Sequence, residues 1–188
     1  NNIKDYNKGK GLILFEVVNK AIKRLIRNEI NDIELGNEIE IISLEKKIEC
    51  DLKFKKLKNN VKLRGVIDRL DKRNGIIRII DYKTGLIKTN EVTVKTLSSS
   101  FDLSHLKAMQ LLCYALMYFK NNPKCNNLEA GLISFRDLNK GMMKFGIKES
   151  SAPPNHLINL AIIEEFEELI KNLILEIMDP NHPFTDSV

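Results

Sequence analysis

The spacing of apolar residues divides the chain into helical and strand-like stretches. Across residues 11–29, Leu12, Leu14, Phe15, Val18, Ala21, Ile22, Leu25 and Ile26 recur at three- and four-residue steps, with Lys20, Lys23, Arg24 and Arg27 among them. That spacing predicts an amphipathic helix with one dry face, ended by Gly36-Asn37. The period then falls to two. Residues 38–44 carry Ile39, Ile41, Ile42 and Leu44, and residues 46–57 alternate through Ile48, Cys50, Leu52, Phe54 and Leu57. Two strands are expected there, followed by a turn at Asn59-Asn60. Val61, Leu63, Gly65 and Ile67 alternate against Lys62, Arg64, Val66 and Asp68 as a further strand. Asp71-Lys72-Arg73-Asn74-Gly75 reads as a hairpin loop, because Asn-Gly tolerates the positive φ of a tight turn. Ile76, Ile77, Ile79 and Ile80 then make a nearly continuous apolar strand, expected to be buried on both faces. It runs directly into Asp81-Tyr82-Lys83-Thr84-Gly85.

A polar loop is expected over residues 86–100. Residues 104–119 predict a second helix whose dry face is Leu106, Met109, Leu112, Cys113, Leu116 and Met117, ended by Asn121-Asn122-Pro123. Strands are expected at 128–135 and 142–147, around the turn Asn139-Lys140-Gly141. Residues 157–178 are expected to form a long amphipathic helix stopped by Asp179-Pro180. The order is helix, several strands, helix, two strands, helix, with no repeat and no linker. This predicts one α/β (α+β) domain over residues 1–188, a central mixed β-sheet flanked by helices.

Composition narrows the classes. The 188 residues suit one domain with a real core. With 43% hydrophobic and 29% charged residues the chain is not of the disordered class. No run of eighteen apolar residues occurs, so no membrane span is expected, and residues 1–10 lack the apolar region of a secretory signal. Cys50, Cys113 and Cys125 form neither a disulfide framework nor a zinc spacing, which points to a reducing, cytoplasmic setting. A net charge of +5 permits contact with nucleic acid without proving it. Lys107, Lys120, Lys124, Arg136 and Lys140 are candidates to flank a DNA groove. His105, His156 and His182 have no ligand spacing and read as ordinary surface or capping residues, and Cys113 reads as a small core residue. The chain opens Asn1-Asn2-Ile3 and stops at Ser187-Val188, and is read as a piece of a longer protein.

The chemistry concentrates at two strand ends. Asp68 closes an alternating strand, and Asp81 closes the next one across a hairpin centred near Asn74-Gly75, so the two carboxylates are expected to approach one another at one sheet edge. Lys83 lies two residues beyond Asp81, on the same face of the pleat. Two carboxylates beside a lysine suit a hard divalent cation such as Mg²⁺, with Mn²⁺ as a substitute, which takes oxygen ligands, waters and a substrate phosphate. Lys83 would hold the attacking water or offset charge developing on the phosphate. Gln110 and Tyr114, at i and i+4, share one face of the second helix.

Gly65-x-x-Asp68-Arg69, then Asp81-Tyr82-Lys83-Thr84-Gly85 thirteen residues after Asp68, then Gln110-x-x-x-Tyr114, resembles the RecB/AddB branch of the PD-(D/E)XK nuclease superfamily. The resemblance spans roughly residues 45–118, with Glu45 where that branch often carries a glutamate. It implies a restriction-endonuclease-like core and a metal-dependent deoxyribonuclease. It makes Asp68 and Asp81 metal ligands, the main-chain carbonyl of Tyr82 a further ligand, and Lys83 the catalytic lysine. Gln110 and Tyr114 would orient the site and touch the DNA strand, with Arg69 and Thr84 in support. It further implies DNA as partner, together with a helicase subunit or a helicase-like region of the parent protein, and work on DNA ends in double-strand break repair. The family's first helix usually brings a histidine or glutamate. Phe15-Glu16 offers no histidine, leaving either Glu16 or a residue upstream of Asn1 for that role. The three cysteines lack the spacing of the iron–sulfur cluster carried by many relatives, so no such cluster is expected in this chain. The competing reading is an inactive nuclease fold serving DNA binding or scaffolding.

Overall fold

The structure, a computed structural model, describes residues 8–54, 60–148 and 152–181. Its centre is a sheet built from two long antiparallel strands, β1 (Ile39–Leu52) and β2 (Val61–Arg73), followed by β3 (Ile76–Lys83). The two strands expected over 38–57 are one. Its pairing with β2 runs from Ile39↔Arg73 to Leu52↔Val61, and a bulge between Ile41 and Ser43 with Glu45 at φ 50° absorbs the break in alternation. Leu57 and Asn59, from the expected strand end and turn, lie outside the described residues.

β2 also runs further than expected. Asp71 belongs to the strand, not to a loop, and the turn shrinks to Asn74 and Gly75 at φ 49° and 84°, the two positive values of a type I′ hairpin. Asp71 is pulled into the ladder by its partners. It is fully buried, receives Arg78 Nε and Nη2 at 2.7 and 2.8 Å, and pairs with Arg69 Nη2 at 2.6 Å. A carboxylate away from water is tolerable only when its charge is met in this way.

β3 pairs in parallel with β5 (Asn127–Ser134), and the chain between them contains β4 (Thr93–Val94) and helix α2 (Leu106–Asn121). The expected strand 142–147 is split. β6 (Met142–Lys144) pairs with β5, Phe145 N–H donates to the Ala130 carbonyl at 2.7 Å, and β7 (Gly146–Ile147) turns away to pair with β4. β8 (Ile158–Asn159) adds to β5 before helix α3 (Leu160–Ile177), whose N-terminus is capped by the Asn159 side chain accepting from Ile162 N–H at 3.0 Å. The sheet order is β1-β2-β3-β5-β6. β2 and β3 are therefore interior strands. Asp81 lies near the end of β3, whereas Asp68, expected to close its strand, lies within β2, which runs on to Arg73, and neither is on a sheet edge.

The main core lies between this sheet and α2 and α3, and includes Ile67, Leu70, Ile79, Leu116 and Phe166. The buried stripe of α2 is wider than expected and turned. Ala108, Leu111 and Ala115 join Leu112, Leu116 and Met117, whereas Leu106 is exposed and Met109 and Cys113 are half-buried. The cause is that α2 is covered by α3 and the segment before it as well as by the sheet. That segment, expected as a polar loop, buries Ile87, Val92, Val94 and Leu97. Burial pushes the Cys113 thiol up to about 12, as suits a small core group.

Helix α1 (Gly9–Glu34) lies on the other face. Its expected dry face is not covered in the described structure. Leu12, Leu14, Phe15, Val18, Ile22 and Ile26 are exposed, and only Ala21 and Leu25 pack against Ile80, Ile133 and Leu138. Polar contacts fasten it instead: Glu29 to Arg69, Asp32 to Arg73, Asn28 Nδ2 to the Leu138 carbonyl, and Arg24 to Asn139. No helix among the described residues is long and apolar enough to cross a membrane.

Candidate active site

Residues 77, 79, 81 and 83 of β3 face α2, as the pleat requires. Asp81 and Lys83 thus emerge beside one another at the end of the strand, where Lys83 Nζ lies 2.8 Å from Asp81 Oδ2. Gln110 reaches them from α2. Its Oε1 accepts from Lys83 Nζ at 3.0 Å, and its Nε2 donates to Asp81 Oδ1 and to the Tyr114 hydroxyl, each at 3.1 Å. Only this orientation of the amide works, since an ammonium needs an acceptor and a carboxylate needs a donor. The i, i+4 spacing of Gln110 and Tyr114 places both on the edge of α2 that meets the strand end.

Tyr114 fits because of a glycine. A Cβ on Gly65 would lie 2.8 Å from Tyr114 Cε1, so the ring occupies space that any side chain on β2 would fill. Asp68 lies three residues further along β2. Its Oδ2 accepts the main-chain N–H of Tyr82 at 2.7 Å, fastening it to the residue after Asp81. Asp68 forms no other hydrogen bond among the described residues, so its second oxygen is uncommitted.

Asp81 is 4% exposed. Burial pushes its carboxyl above the ordinary value, Lys83 pulls it back, and the charge of Asp68 raises it again. The Tyr114 phenol is also raised, first by burial, with Asp81 and Asp68 adding to the shift. Asp81 Oδ2 is buried without a hydrogen-bond partner, and the Lys83 ammonium lies 2.8 Å from it as an ion pair. A buried carboxylate oxygen left in this state suits a cation. Two carboxylates with retained waters and a phosphate satisfy Mg²⁺, which needs no further protein cage. Among the described residues no third histidine, cysteine or acidic side chain completes a cluster with them. Glu16 is exposed on α1, and Glu45, opposite Asp68 in the β1–β2 ribbon, points to solvent.

The other candidates are placed elsewhere. Lys107 pairs with Glu91 at 2.5 Å, Lys120 with Glu167 at 2.6 Å and Lys140 with Asp137 at 3.0 Å, while Lys124 and Arg136 are exposed. His105 meets Ser104 and His156 meets the Phe145 carbonyl; His182 lies outside the described residues. Thr84 is exposed just past β3, where Ser134 Oγ donates to the Gly85 carbonyl at 2.7 Å.

Sequence reasoning missed the charge network behind the site, in which Asp71 faces Arg78 directly across the β2–β3 ladder. An opposite-charge pair at equal distances from Asn74-Gly75 was the available signal.

The family model of the PD-(D/E)XK nuclease superfamily matches residues 12–188. No curated protein matches the chain. A solved structure titled "Crystal structure of SSO0001" is similar at 15% identity, covering 94% of this chain and 73% of its own, with a TM-score of 0.31.

Proposed function

The chain belongs to the PD-(D/E)XK nuclease superfamily, and from that membership we propose that it is a metal-dependent deoxyribonuclease of the RecB/AddB kind, hydrolysing phosphodiester bonds at DNA ends beside a helicase partner in break repair. The observation that carries this reading is the joining of Asp81, Lys83, Gln110 and Tyr114 by contacts of 2.8–3.1 Å at the end of β3. Asp68, Asp81 and the Tyr82 carbonyl would hold Mg²⁺ or Mn²⁺, which supplies Lewis acidity toward the phosphate and an acidified water. Lys83 brings a fixed positive charge to where the phosphate gains negative charge. Gln110 holds Lys83 and Asp81 in mutual register, and Tyr114 closes the α2 side of the pocket against the incoming strand.

The test is digestion of linear duplex DNA with Mg²⁺ by the full chain and by Asp81→Ala and Lys83→Ala. Cleavage by the wild type, lost in both variants while their melts stay cooperative, supports the reading. A second reading, an inactive nuclease fold that binds DNA, is favoured by the lack of a third acidic or histidine ligand among the described residues. It predicts DNA binding with no cleavage in any of the three proteins.

A further inference from the structure

We propose that Glu29, on α1, is a positioning residue that acts through Arg69 on Asp68 and Tyr82, across the sheet from the pocket; its catalytic meaning rests on reading those two residues as metal donors. Glu29 Oε1 accepts from Arg69 Nη1 at 2.5 Å, and the same Nη1 lies 3.4 Å from the Tyr82 hydroxyl. Arg69 directly follows Asp68 and occupies the last rung of the β2–β3 ladder, opposite Ile80. Past that rung the strands part. Ile67 and Leu70, three residues apart, both belong to the main core, so β2 loses its alternation at Asp68. What spans the gap is the hydrogen bond from Tyr82 N–H to Asp68 Oδ2.

Tyr82 is held from behind. Its ring stacks on Phe135 with centroids 5.4 Å apart, and its hydroxyl meets Arg69. Arg69 is 3% exposed and its Nη2 is engaged by Asp71 at 2.6 Å, so Glu29 is the group that sets where Nη1 points. Guanidinium, phenol and main-chain N–H then form one continuous path from α1 to the Asp68 carboxylate. A control lies one turn along the same helix. Asp32 receives Arg73 Nε and Nη2 at 2.8 and 2.6 Å, fastening α1 to β2 equally well without touching Tyr82 or Asp68.

The test compares the metal-free full chain with Glu29→Gln, Asp32→Asn and Tyr82→Phe, by amide hydrogen exchange and by calorimetric titration with Mn²⁺. Glu29→Gln should speed exchange at the Tyr82 amide about tenfold, and Asp32→Asn should leave it unchanged. Tyr82→Phe, which removes only the hydroxyl facing Arg69, should speed the same amide in the same direction. Glu29→Gln should also need about tenfold more Mn²⁺ for half-saturation. Wild-type exchange at Tyr82 in Glu29→Gln, or equal acceleration in Asp32→Asn, overturns the proposal. A wild-type chain that takes up no Mn²⁺ contradicts the proposed function instead, and the exchange comparison still decides whether Glu29 positions Tyr82.

Discussion

Tyr82 donates its main-chain N–H to Asp68 Oδ2 at 2.7 Å, so the acidic residue of β2 is fastened to the residue that follows the acidic residue of β3. Asp68 therefore serves the fold with one oxygen, while the other makes no hydrogen bond among the described residues. Asp68→Asn keeps an acceptor for that N–H and should stay within about 1 kcal/mol of wild-type stability, whereas Asp68→Ala should lose about 1–3 kcal/mol. Both should fail to cleave DNA. Urea midpoints read beside cleavage rates check this; an active Asp68→Asn contradicts the ligand assignment.

Gln110 divides its amide between Lys83 and Asp81. Gln110→Ala should lower the cleavage rate about 10–100-fold, as expected when the partner that orients a ligand is lost. Lys83→Met should cost on the order of 10² or more in rate, the scale for removing one electrostatic group from a developing charge. Single-turnover rates at saturating Mg²⁺ separate these losses from weaker metal binding.

The raised Asp81 carboxyl has a signed consequence for stability. Burial, first, and the Asp68 charge make the folded chain bind this proton more tightly than the unfolded chain does. Metal-free stability from this group is then fully present below the unfolded value of 3.8 and falls as pH climbs through the raised folded value. Asp81→Asn removes the penalty. It should melt above wild type near neutral pH, with the gap closing toward pH ~3. A gap that is the same at both ends of the range contradicts the assignment.

Gly65 and Tyr114 compete for one space, with 2.8 Å between a built Cβ and Tyr114 Cε1. Gly65→Ala should cost about 1–3 kcal/mol by overpacking and slow cleavage by displacing the ring. In Gly65→Ala/Tyr114→Ala the stability costs should be less than additive, because the clash is gone. A double-mutant cycle on unfolding free energies measures this; strict additivity would mean that the two residues do not meet.

How much was legible follows the range of each signal. The run from Ile76 into Asp81-Tyr82-Lys83 and the Asn74-Gly75 turn are local, and β3 and that turn form where they were expected, although the loop expected from Asp71 is strand up to Arg73. The pairing of Gln110 with Tyr114 was visible in the helical period. Three features depended on distant partners. Asp71 looked like a loop residue until Arg69 and Arg78 met it across the strands. The dry face of α2 turned because α3 covers it from a second side, and most of the apolar face of α1 meets no cover among the described residues, where ion pairs and the packing of Ala21 and Leu25 hold that helix. Periodicity identifies a face but not its cover.

In the proposed function, Asp68 and Asp81 jointly hold a divalent cation beside Lys83. Crystals soaked in Mn²⁺ and measured for anomalous scattering test it most directly. A peak about 2.0–2.2 Å from a carboxylate oxygen of each aspartate, absent in Asp81→Ala, is the result expected. No peak between the two carboxylates at saturating Mn²⁺, or a peak unaffected by Asp81→Ala, would contradict it.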